Sequence, residues 1–521
     1  MSSRPRRRKG AIAVRPVRRL PRRQRNNPPL AVIDIGSNSG RVTVMRLYPS
    51  GHLEVLEDAR FPLRLAREVD AHGRLPRSAM ERTIGALRDF RSIARGAGAT
   101  SILVVATSAV REARNGTELV DRVRRELGLK VVVIDGDREA AFAYLGAVHG
   151  LPVDHGLLLD LGGGSLEVSQ FRNRQLIRTW TLPLGALRVS DRFLHHDPPT
   201  TSELKQLKVH VDKTIRKAGI PALADDERLI GTGGSIRNIA KIEGRARHDV
   251  LPSVHGYVIP LEHVRQMASR ASSLRLAARA SIPGLNKDRA DSIVGGFLCL
   301  QVAMQTLGAS EIQVSGQGLR EGIALATLGK SPPPARTVRQ VSVEALMRRF
   351  VTCKLDVARR RARIARRLLD VLEPDASEEM REVLQHVCML LDIGRSVDYF
   401  ERHRNAAMIV TAADLQGFSP RAVALTLAVL FAAGNAANRL RTLRPMLRPK
   451  DTAAIQRVAT LLLVADEIER RTLPGQPLVM HCKVTREALI LRSEILAGWQ
   501  PRSTGERFRR AFGRDLQITA G

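Results

Sequence analysis

Two α/β halves built on one plan, followed by a helical C-terminal region, are what this 521-residue sequence predicts. The first observation is the stretch Leu159-Asp160-Leu161-Gly162-Gly163-Gly164-Ser165-Leu166-Glu167, an apolar run that ends in an aspartate, breaks into glycines and resumes as alternating residues. It reads as a β-hairpin wrapped around a phosphate, since glycines let several backbone N–H groups face one anion and Ser165 adds a hydroxyl. The second is another copy of it: Ile33-Asp34-Ile35-Gly36-Ser37-Asn38-Ser39-Gly40-Arg41-Val42 aligns Asp34 with Asp160, Ser39 with Ser165 and Arg41 with Glu167. A repeated turn is far rarer by chance than a single one. The third is the order of elements, strands then alternating helices and strands, which runs from residue 30 and recurs after residue 150.

Asp160 needs an explanation of its own. At the end of a buried strand it would face the anion and repel it by roughly 4 kcal/mol at 4 Å and an effective dielectric near 20. The carboxylate makes sense with Mg²⁺ between it and the phosphate. For this stretch alone the alternative is a glycine-rich hairpin with an exposed acid.

In the first half, Val32, Ile35, Val42, Val44, Leu53, Val55 and Phe61, broken at Pro49-Ser50-Gly51, predict three antiparallel strands. Pro76 to Arg95 has helical spacing, with a proline suited to the first turn. Ser101 to Thr107 is a buried strand, Thr117 to Leu127 a helix with Thr117 as its cap, Lys130 to Ile134 a strand, and Asp137 to Val148 a helix. The second half repeats this with strands at Gly156 to Asp160, Leu166 to Phe171 and Gln175 to Leu182, and helices from Gly185 and Ser202. Arg228 to Ile230 is a short strand that runs into Gly231-Thr232-Gly233-Gly234-Ser235 and a helix. A glycine-rich turn opening a helix turns free N–H groups and the positive dipole end toward an anion, so Gly233, Gly234 and Ser235 are a third phosphate-binding candidate; a plain helix cap is the alternative. Ile312 to Ser315, Gly316 to Gly322 and a helix to Leu328 close the half. Ser331-Pro332-Pro333-Pro334-Ala335 is a linker. The divisions are therefore a basic arm at 1–29, α/β halves at 30–150 and 151–330, a linker at 331–339 and a helical region at 340–521.

Composition bounds the partner. With 84 Lys+Arg against 52 Asp+Glu the net charge is +32, which points to a polyanion: nucleic acid, polyphosphate, nucleotides or an anionic membrane. Only 3% of residues are aromatic, which argues against a single-strand binder that stacks bases, and nucleic acid is not expected as a specific target. No apolar run has the length of a membrane span, and Cys299, Cys353, Cys388 and Cys482 form no metal-like cluster, so a soluble protein of the reducing cytoplasm is expected. The arm carries 11 basic residues and no acid, without the apolar segment of a signal peptide. Arg359, Arg360, Arg361, Arg363, Arg366 and Arg367 fall around one helix. They read as a solvated face or, alternatively, as a polyanion channel.

Two Asp-x-Gly hairpins and a glycine-rich helix opening, in this order on duplicated halves, resemble the actin-like (ASKHA) superfamily with its ribonuclease H-like domains. Ile33 to Ser39, Ala106 to Asn115 (ATSAVREARN), Ile134 to Gly146 (IDGDREAAFAYLG), Leu159 to Glu167, Leu182 to Arg188 (LPLGALR), Gly231 to Ser235 and Ser315 to Gly322 (SGQGLREG) together resemble the exopolyphosphatase and guanosine pentaphosphate phosphohydrolase (Ppx/GppA) family. The resemblance implies hydrolysis of the terminal phosphate of inorganic polyphosphate, or of the 5′-γ-phosphate of guanosine pentaphosphate, with Mg²⁺ and a water. It implies Glu139 as general base, Asp160 and Glu167 as the metal-linked and water-positioning acids with Asp34 as a further metal candidate, and Arg111 as the grip on the substrate phosphate. Ser37, Asn38, Ser39, Gly162, Gly163, Gly164 and Ser165 would cradle it. A homodimer is implied by the resemblance alone.

Three positions depart from the family's pattern: Arg138 where an acid is common, Ala141 where an arginine is, and Gly40 where a bulkier residue is; they bear on metal affinity, geometry and rate. The C-terminal region resembles the HD-like domain of long family members in part. Leu391 stands before Asp392 where a histidine would, and Asn405 follows Arg404 where a second histidine is usual, so His386, Asp392 and His403 are expected to be structural or surface residues. The exopolyphosphatase reading is set against guanosine pentaphosphate hydrolysis, a non-catalytic polyanion binder, and an actin-like ATPase or sugar kinase, the last disfavoured by the glutamate-bearing motifs.

Overall fold

In a computed structural model the described residues are 28–49, 51–251, 253–350, 353–413, 415–473, 476 and 478–519. The basic arm up to residue 27 and Ser50 of the first predicted turn lie outside them. The chain divides into two compact units: the described residues up to Arg247 with Val254–Val338, and His248–Ser253 with Arg339 onward.

The first unit opens with β1 (Leu30–Ile35), β2 (Ser39–Leu47), β3 (Leu53–Pro62), α1 (Leu65–His72), α2 (Arg77–Gly96), β4 (Ser101–Ala106), α3 (Ser108–Glu112), α4 (Gly116–Leu127), β5 (Val131–Val133) and α5 (Gly136–His149). It continues with β6 (Gly156–Leu161), β7 (Leu166–Arg172), β8 (Gln175–Leu182), α6 (Ala186–Phe193), α7 (Thr201–Lys217), β9 (Arg228–Thr232), α8 (Gly233–Ala246), β10 (Tyr257–Pro260), α9 (Leu261–Ser273), α10 (Leu276–Arg279), α11 (Ile293–Thr306), β11 (Glu311–Val314) and α12 (Leu319–Thr327). The two sheets run β3-β2-β1-β4-β5 and β8-β7-β6-β9-β11-β10, so the second repeats the first and adds one edge strand. In both, the first three strands are antiparallel and the next two parallel. The predicted strands all form. One predicted cap does not: α4 starts at Gly116 with Asn115 before it, because the Asn115 amide is engaged with the backbone of Leu75, and Thr117 lies inside the helix.

The last helix of each half crosses to the other sheet. α5 packs Ala141, Tyr144 and Val148 against Leu158, Phe171 and Ile230 of the second sheet, while α12 packs Ile323 and Leu325 against Leu30 and Val32 of the first. The two helices meet at glycines: a Cβ on Gly322 would stand 1.7 Å from the Phe142 carbonyl oxygen, and one on Gly146 would stand 2.0 Å from that of Gly318. A duplicated fold thus becomes one unit through its crossing helices.

The second unit has α13 (Val338–Met347), α14 (Leu355–Leu372), α15 (Glu378–Leu390), α16 (Arg402–Ala412), α17 (Pro420–Ala433), α18 (Ala437–Thr442), α19 (Asp451–Arg471) and α20 (Arg502–Phe512). To the predicted helices it adds a small sheet of β12 (His481–Val484), β13 (Ala488–Arg492) and β14 (Asp515–Thr519), in which β13 pairs with β14 in parallel across α20. His386, Asp392 and His403 do not converge; among the described residues no group of three His, Cys, Asp or Glu is arranged to hold a metal. His386 is buried against the Phe418 ring at 4.7 Å. Asp392 is buried and accepts from Arg361 Nη2 at 2.8 Å, and Arg361 Nε lies 2.9 Å from Asp466 Oδ1, with Arg402 also paired to Asp466. Arg361, one of the run expected around a solvated helix, is therefore a buried cation between two aspartates. Buried charges persist where they are paired in this way.

Candidate active site

The two Asp-x-Gly hairpins are copies down to their hydrogen bonds. Asp34 pairs in register with Arg41 and Asp160 with Glu167. In each turn the glycine two residues after the aspartate donates its N–H to the serine carbonyl three further on, Gly36 to Ser39 at 3.2 Å and Gly162 to Ser165 at 3.0 Å. The helix that follows each sheet edge, α1 or α6, sends its first N–H groups back to the hairpin: Ala66 to Ser37, and Leu187 and Arg188 to Gly163.

The hairpins touch at their tips. A Cβ on Gly163 would meet Asn38 Cβ at 2.8 Å, and one on Gly164 would meet the hydroxyl oxygens of Ser37 and Ser108 at 2.9 Å. None of these glycines has a positive φ, so close approach of the two turns, rather than an unusual backbone, requires them. Ser37 and Ser108 share a hydrogen bond of 2.6 Å beneath this contact. The third expected loop arrives beside them: Gly233 has φ +90° and passes so close that a Cβ would stand 2.5 Å from Asp160 Oδ1.

These turns enclose a cavity of about 370 Å³ lined by Asp34, Glu139, Asp160 and Glu167, by the hairpin residues Ser37, Asn38, Ser39, Gly162, Gly163, Gly164 and Ser165, and by Gly233 and Gly234. Ser235 lies just outside, its hydroxyl accepting from Arg289 Nη1 at 3.5 Å. Six cations among the described residues line the same cavity: Arg41, Arg60, Arg237, Lys241, Arg289 and Arg320. Of these, sequence reasoning named Arg41 and the motif containing Arg320; Arg237 and Lys241 follow the glycine-rich turn on α8 but were not singled out, and Arg60 and Arg289 come from separate segments with no glycine signature to mark them. Arg289 lies over the start of α8, its Nη2 where a Gly234 Cβ would be. Burial, with neighbouring cations adding to it, pulls Arg289 down to about 9 and Arg237 to about 10. An anion placed here would reverse that penalty.

The carboxylates are shifted the other way. Burial raises Asp34 to about 6, with Asp160 adding to it against Arg320, and raises Asp160 as well. Burial also raises Glu139, to about 8, and raises Glu167 well above its ordinary value, the two acids repelling each other. Asp34 Oδ1 and Glu167 Oε1 are buried without a hydrogen-bond partner among the described residues. Arg111 does not line the cavity. It donates from Nη1 to Glu139 Oε2 at 3.0 Å and to the Ile134 carbonyl at 2.7 Å, which fixes the carboxylate at the start of α5. The three departures also lie off the lining: Arg138 is exposed with its guanidinium over Phe142, Ala141 is in the core, and Leu63 and Phe90 occupy the space a larger residue at Gly40 would take.

A cleft lined by four acids and six cations among the described residues, on a duplicated α/β fold, has the charge and the backbone donors to take a phosphate. Comparison with known proteins agrees. Residues 44–331 match the model of the Ppx/GppA phosphatase family, and residues 338–502 match the Ppx/GppA phosphatase domain III. Exopolyphosphatase 1 of Mycobacterium tuberculosis is 30% identical over 328 residues, covering 61% of this chain and 94% of its own, and that of Mycobacterium leprae is 30% identical over 303 residues, covering 57% and 89%. Among solved structures, the Aquifex aeolicus Ppx/GppA family member is 28% identical with TM-score 0.50 and covers 57% of this chain and 97% of its own. The Cytophaga hutchinsonii exopolyphosphatase, 24% identical with TM-score 0.54 over 58% of this chain and 98% of its own, shares the fold. The chain belongs to the Ppx/GppA phosphatase family.

Ion pairs clasp the rim of the cleft between the halves. Arg67 on α1 holds Asp191 at 2.8 Å and Asp291 at 3.0 Å, Arg64 holds Asp291 at 2.7 Å, and Arg188 on α6 reaches back to Glu112 at 2.6 Å and Asp70 at 3.1 Å. Part-exposed pairs of this kind contribute about 0.2–1 kcal/mol each and weaken with salt. Arg188→Ala is expected to raise the KM for a phosphate substrate about 2–10-fold at low ionic strength, and the difference from wild type should shrink in 0.5–1 M salt, on the order of a Debye length of 3 Å. Steady-state kinetics across a salt series checks this; an effect independent of salt would remove the clasp.

Proposed function

We propose that the chain is an exopolyphosphatase, removing the terminal phosphate of inorganic polyphosphate by attack of a water deprotonated at Glu139. The observation that carries this reading is Glu139 itself: a carboxylate pushed up to about 8 by burial, held by Arg111, facing a cavity whose cations outnumber its acids. A base of raised pKa takes a proton from water more readily once ionised. Hydrolysis of a phosphoanhydride also needs positive charge around the transferred group and the leaving chain. Arg41, Arg60, Arg237, Lys241, Arg289 and Arg320 supply it, and the N–H groups of the hairpin turns add donors. Arg111 acts through Glu139 as a positioning residue.

Mg²⁺ fits the acids beside the hairpins. It is commonly bound by one or two carboxylates with substrate phosphates and waters completing the shell, so no three-ligand cage is required. Asp160 and Asp34, buried and mutually repelling, with Asp34 Oδ1 lacking a partner, are the residues that would hold it. Held there, Mg²⁺ would offset the charge of these acids and supply Lewis-acid polarisation of phosphoryl oxygens.

The same chemistry would serve guanosine pentaphosphate. The described residues lining the cavity include no Phe, Tyr or Trp, and its larger apolar side chains are Val254 and Leu319, which offers little surface to a guanine base and favours the inorganic chain. Phosphate release from long-chain polyphosphate, guanosine pentaphosphate and ATP, each with Mg²⁺, tests the reading. Release chiefly from polyphosphate is expected. Preference for guanosine pentaphosphate would transfer the assignment to the nucleotide, and no release from any of the three, with salt-sensitive polymer binding, would make the protein a polyanion binder.

A further inference from the structure

A second cavity, of about 750 Å³, lies wholly within the helical unit, between α14, α15 and α13. That size is within the range of pockets that hold small organic ligands. Its lining differs in kind from that of the active site. Val343, Leu384 and Met389, all buried core residues, give it an apolar floor with Ala362, and the His386 ring lies beside them. The rim is arginine. Arg359, Arg363, Arg366 and Arg367 fall at i, i+4, i+7 and i+8 of α14, one face of the helix, and Arg381 faces them from α15.

The charge along this face is uneven. At the N-terminal end Arg359 is neutralised by Glu344 at 2.7 Å, and Asp356 also lines the groove. At the C-terminal end Asp370 takes both Arg366, at 3.2 Å, and Arg381. Between these ends Arg363 and Arg367, one helical turn apart, have no carboxylate within ion-pair distance among the described residues. The stretch from residue 359 to residue 370 spans about 16 Å of helix at 1.5 Å per residue. Glu344 and Asp370 are held in pairs at the two ends, so the positive charge left without a carboxylate partner is concentrated on Arg363 and Arg367. The pattern fits a compact anion with an apolar body, its charge at the centre of the groove. His386, held near 3 by burial and the Arg339 charge, presents a neutral ring, and Gln385 offers an amide.

We propose that this groove binds a nucleotide, with its phosphates on Arg363 and Arg367 and its base on the floor formed by Val343, Leu384 and Met389 beside His386. This site is separate from the phosphate cleft and does not depend on the substrate assigned to it. The shared chemistry is that of a diphosphate; the base distinguishes a nucleotide from inorganic phosphate compounds.

Calorimetric titration of the full chain with ADP, GDP and inorganic diphosphate tests it, on wild type, on the Arg363→Glu/Arg367→Glu double variant and on the Arg363→Lys/Arg367→Lys double variant. Both arginines are exposed, so the fold should tolerate the changes, and thermal melts of the variants that match wild type verify that it does. The expected result is that at least one of the two nucleotides binds, that the glutamate pair weakens it by 10-fold or more while the lysine pair retains most of the affinity, and that diphosphate binds at least 10-fold more weakly than the nucleotide. No nucleotide binding to wild type, equal binding to wild type and the glutamate pair, or diphosphate binding as tightly as the nucleotide would each overturn the proposal.

Discussion

Glu139→Gln is expected to abolish turnover and, at alkaline pH, to make the protein more resistant to heat. The loss of rate follows from removing the proposed base. General-base catalysis contributes about 10²–10⁴-fold, and the amide keeps the shape of the side chain while giving up its proton affinity. The gain in stability follows from linkage. Burial raises Glu139 from 4.5 to about 8 in the folded chain, so between those pH values the folded state holds a proton that the unfolded state has released. Stability then falls as pH rises through this window, and the full penalty is present above pH 8. Glutamine carries no such penalty. It also removes one of the repelling acids beside Glu167, whose own pKa should drop. Thermal scans should therefore show the variant melting a few degrees above wild type at pH 9, where 1 kcal/mol corresponds to about 2–4 °C, and near it at pH 5. Wild-type activity should rise with pH to well above the ordinary carboxylate range, as the base ionises. A variant that melts below wild type at pH 9 would show that Glu139 does not carry the burial penalty described, and one that retains turnover would show that it is not the base.

Much of this site could be read from the sequence because the duplication is local. The hairpins, their aspartates and their registers are set by alternation and by turn residues within about ten positions, and the pairing of Asp34 with Arg41 and of Asp160 with Glu167 emerged as the alignment of the copies required. The roles of Gly163 and Gly164 were less legible, because what they avoid is Asn38 and Ser37, more than a hundred residues away. The same is true of Arg111. The family resemblance implies it as the grip on the substrate phosphate, yet its partner here is Glu139, brought to it by the placement of α5. Arg361 misled for the opposite reason: five neighbouring arginines suggested solvent, while Asp392 and Asp466 wait for it in the core. The sheet of the second unit escaped notice because β12, β13 and β14 are four or five residues long and β14 reaches its partner only after α20.

The crossing of α5 and α12 gives the other large expected effect. Gly322→Ala adds one methyl group, but that carbon would lie 1.7 Å from the Phe142 carbonyl oxygen on the facing helix. Backbone cannot yield as a side-chain rotamer can, so the helices must separate, and the contacts of Ile323 and Leu325 with the first sheet and of Tyr144 and Val148 with the second loosen together. Overpacking of this severity costs about 3 kcal/mol or more, which for a unit of this size lowers Tm by roughly 6–12 °C. Activity should fall further than stability alone explains, because α5 carries Glu139 and α12 carries Arg320, which stands 3.8 Å from Asp34. Gly85→Ala is the matched control. Gly85 is in the middle of α2, and its added Cβ would meet nothing within 4 Å, so the substitution should stabilise by about 0.5–1 kcal/mol through helix propensity. If both alanines behave alike in thermal scans, the glycine contact does not hold the two halves in register. If Gly322→Ala alone unfolds early and loses phosphate release at a temperature where it is still folded, the crossing helices are what keep base and cation facing the same phosphate.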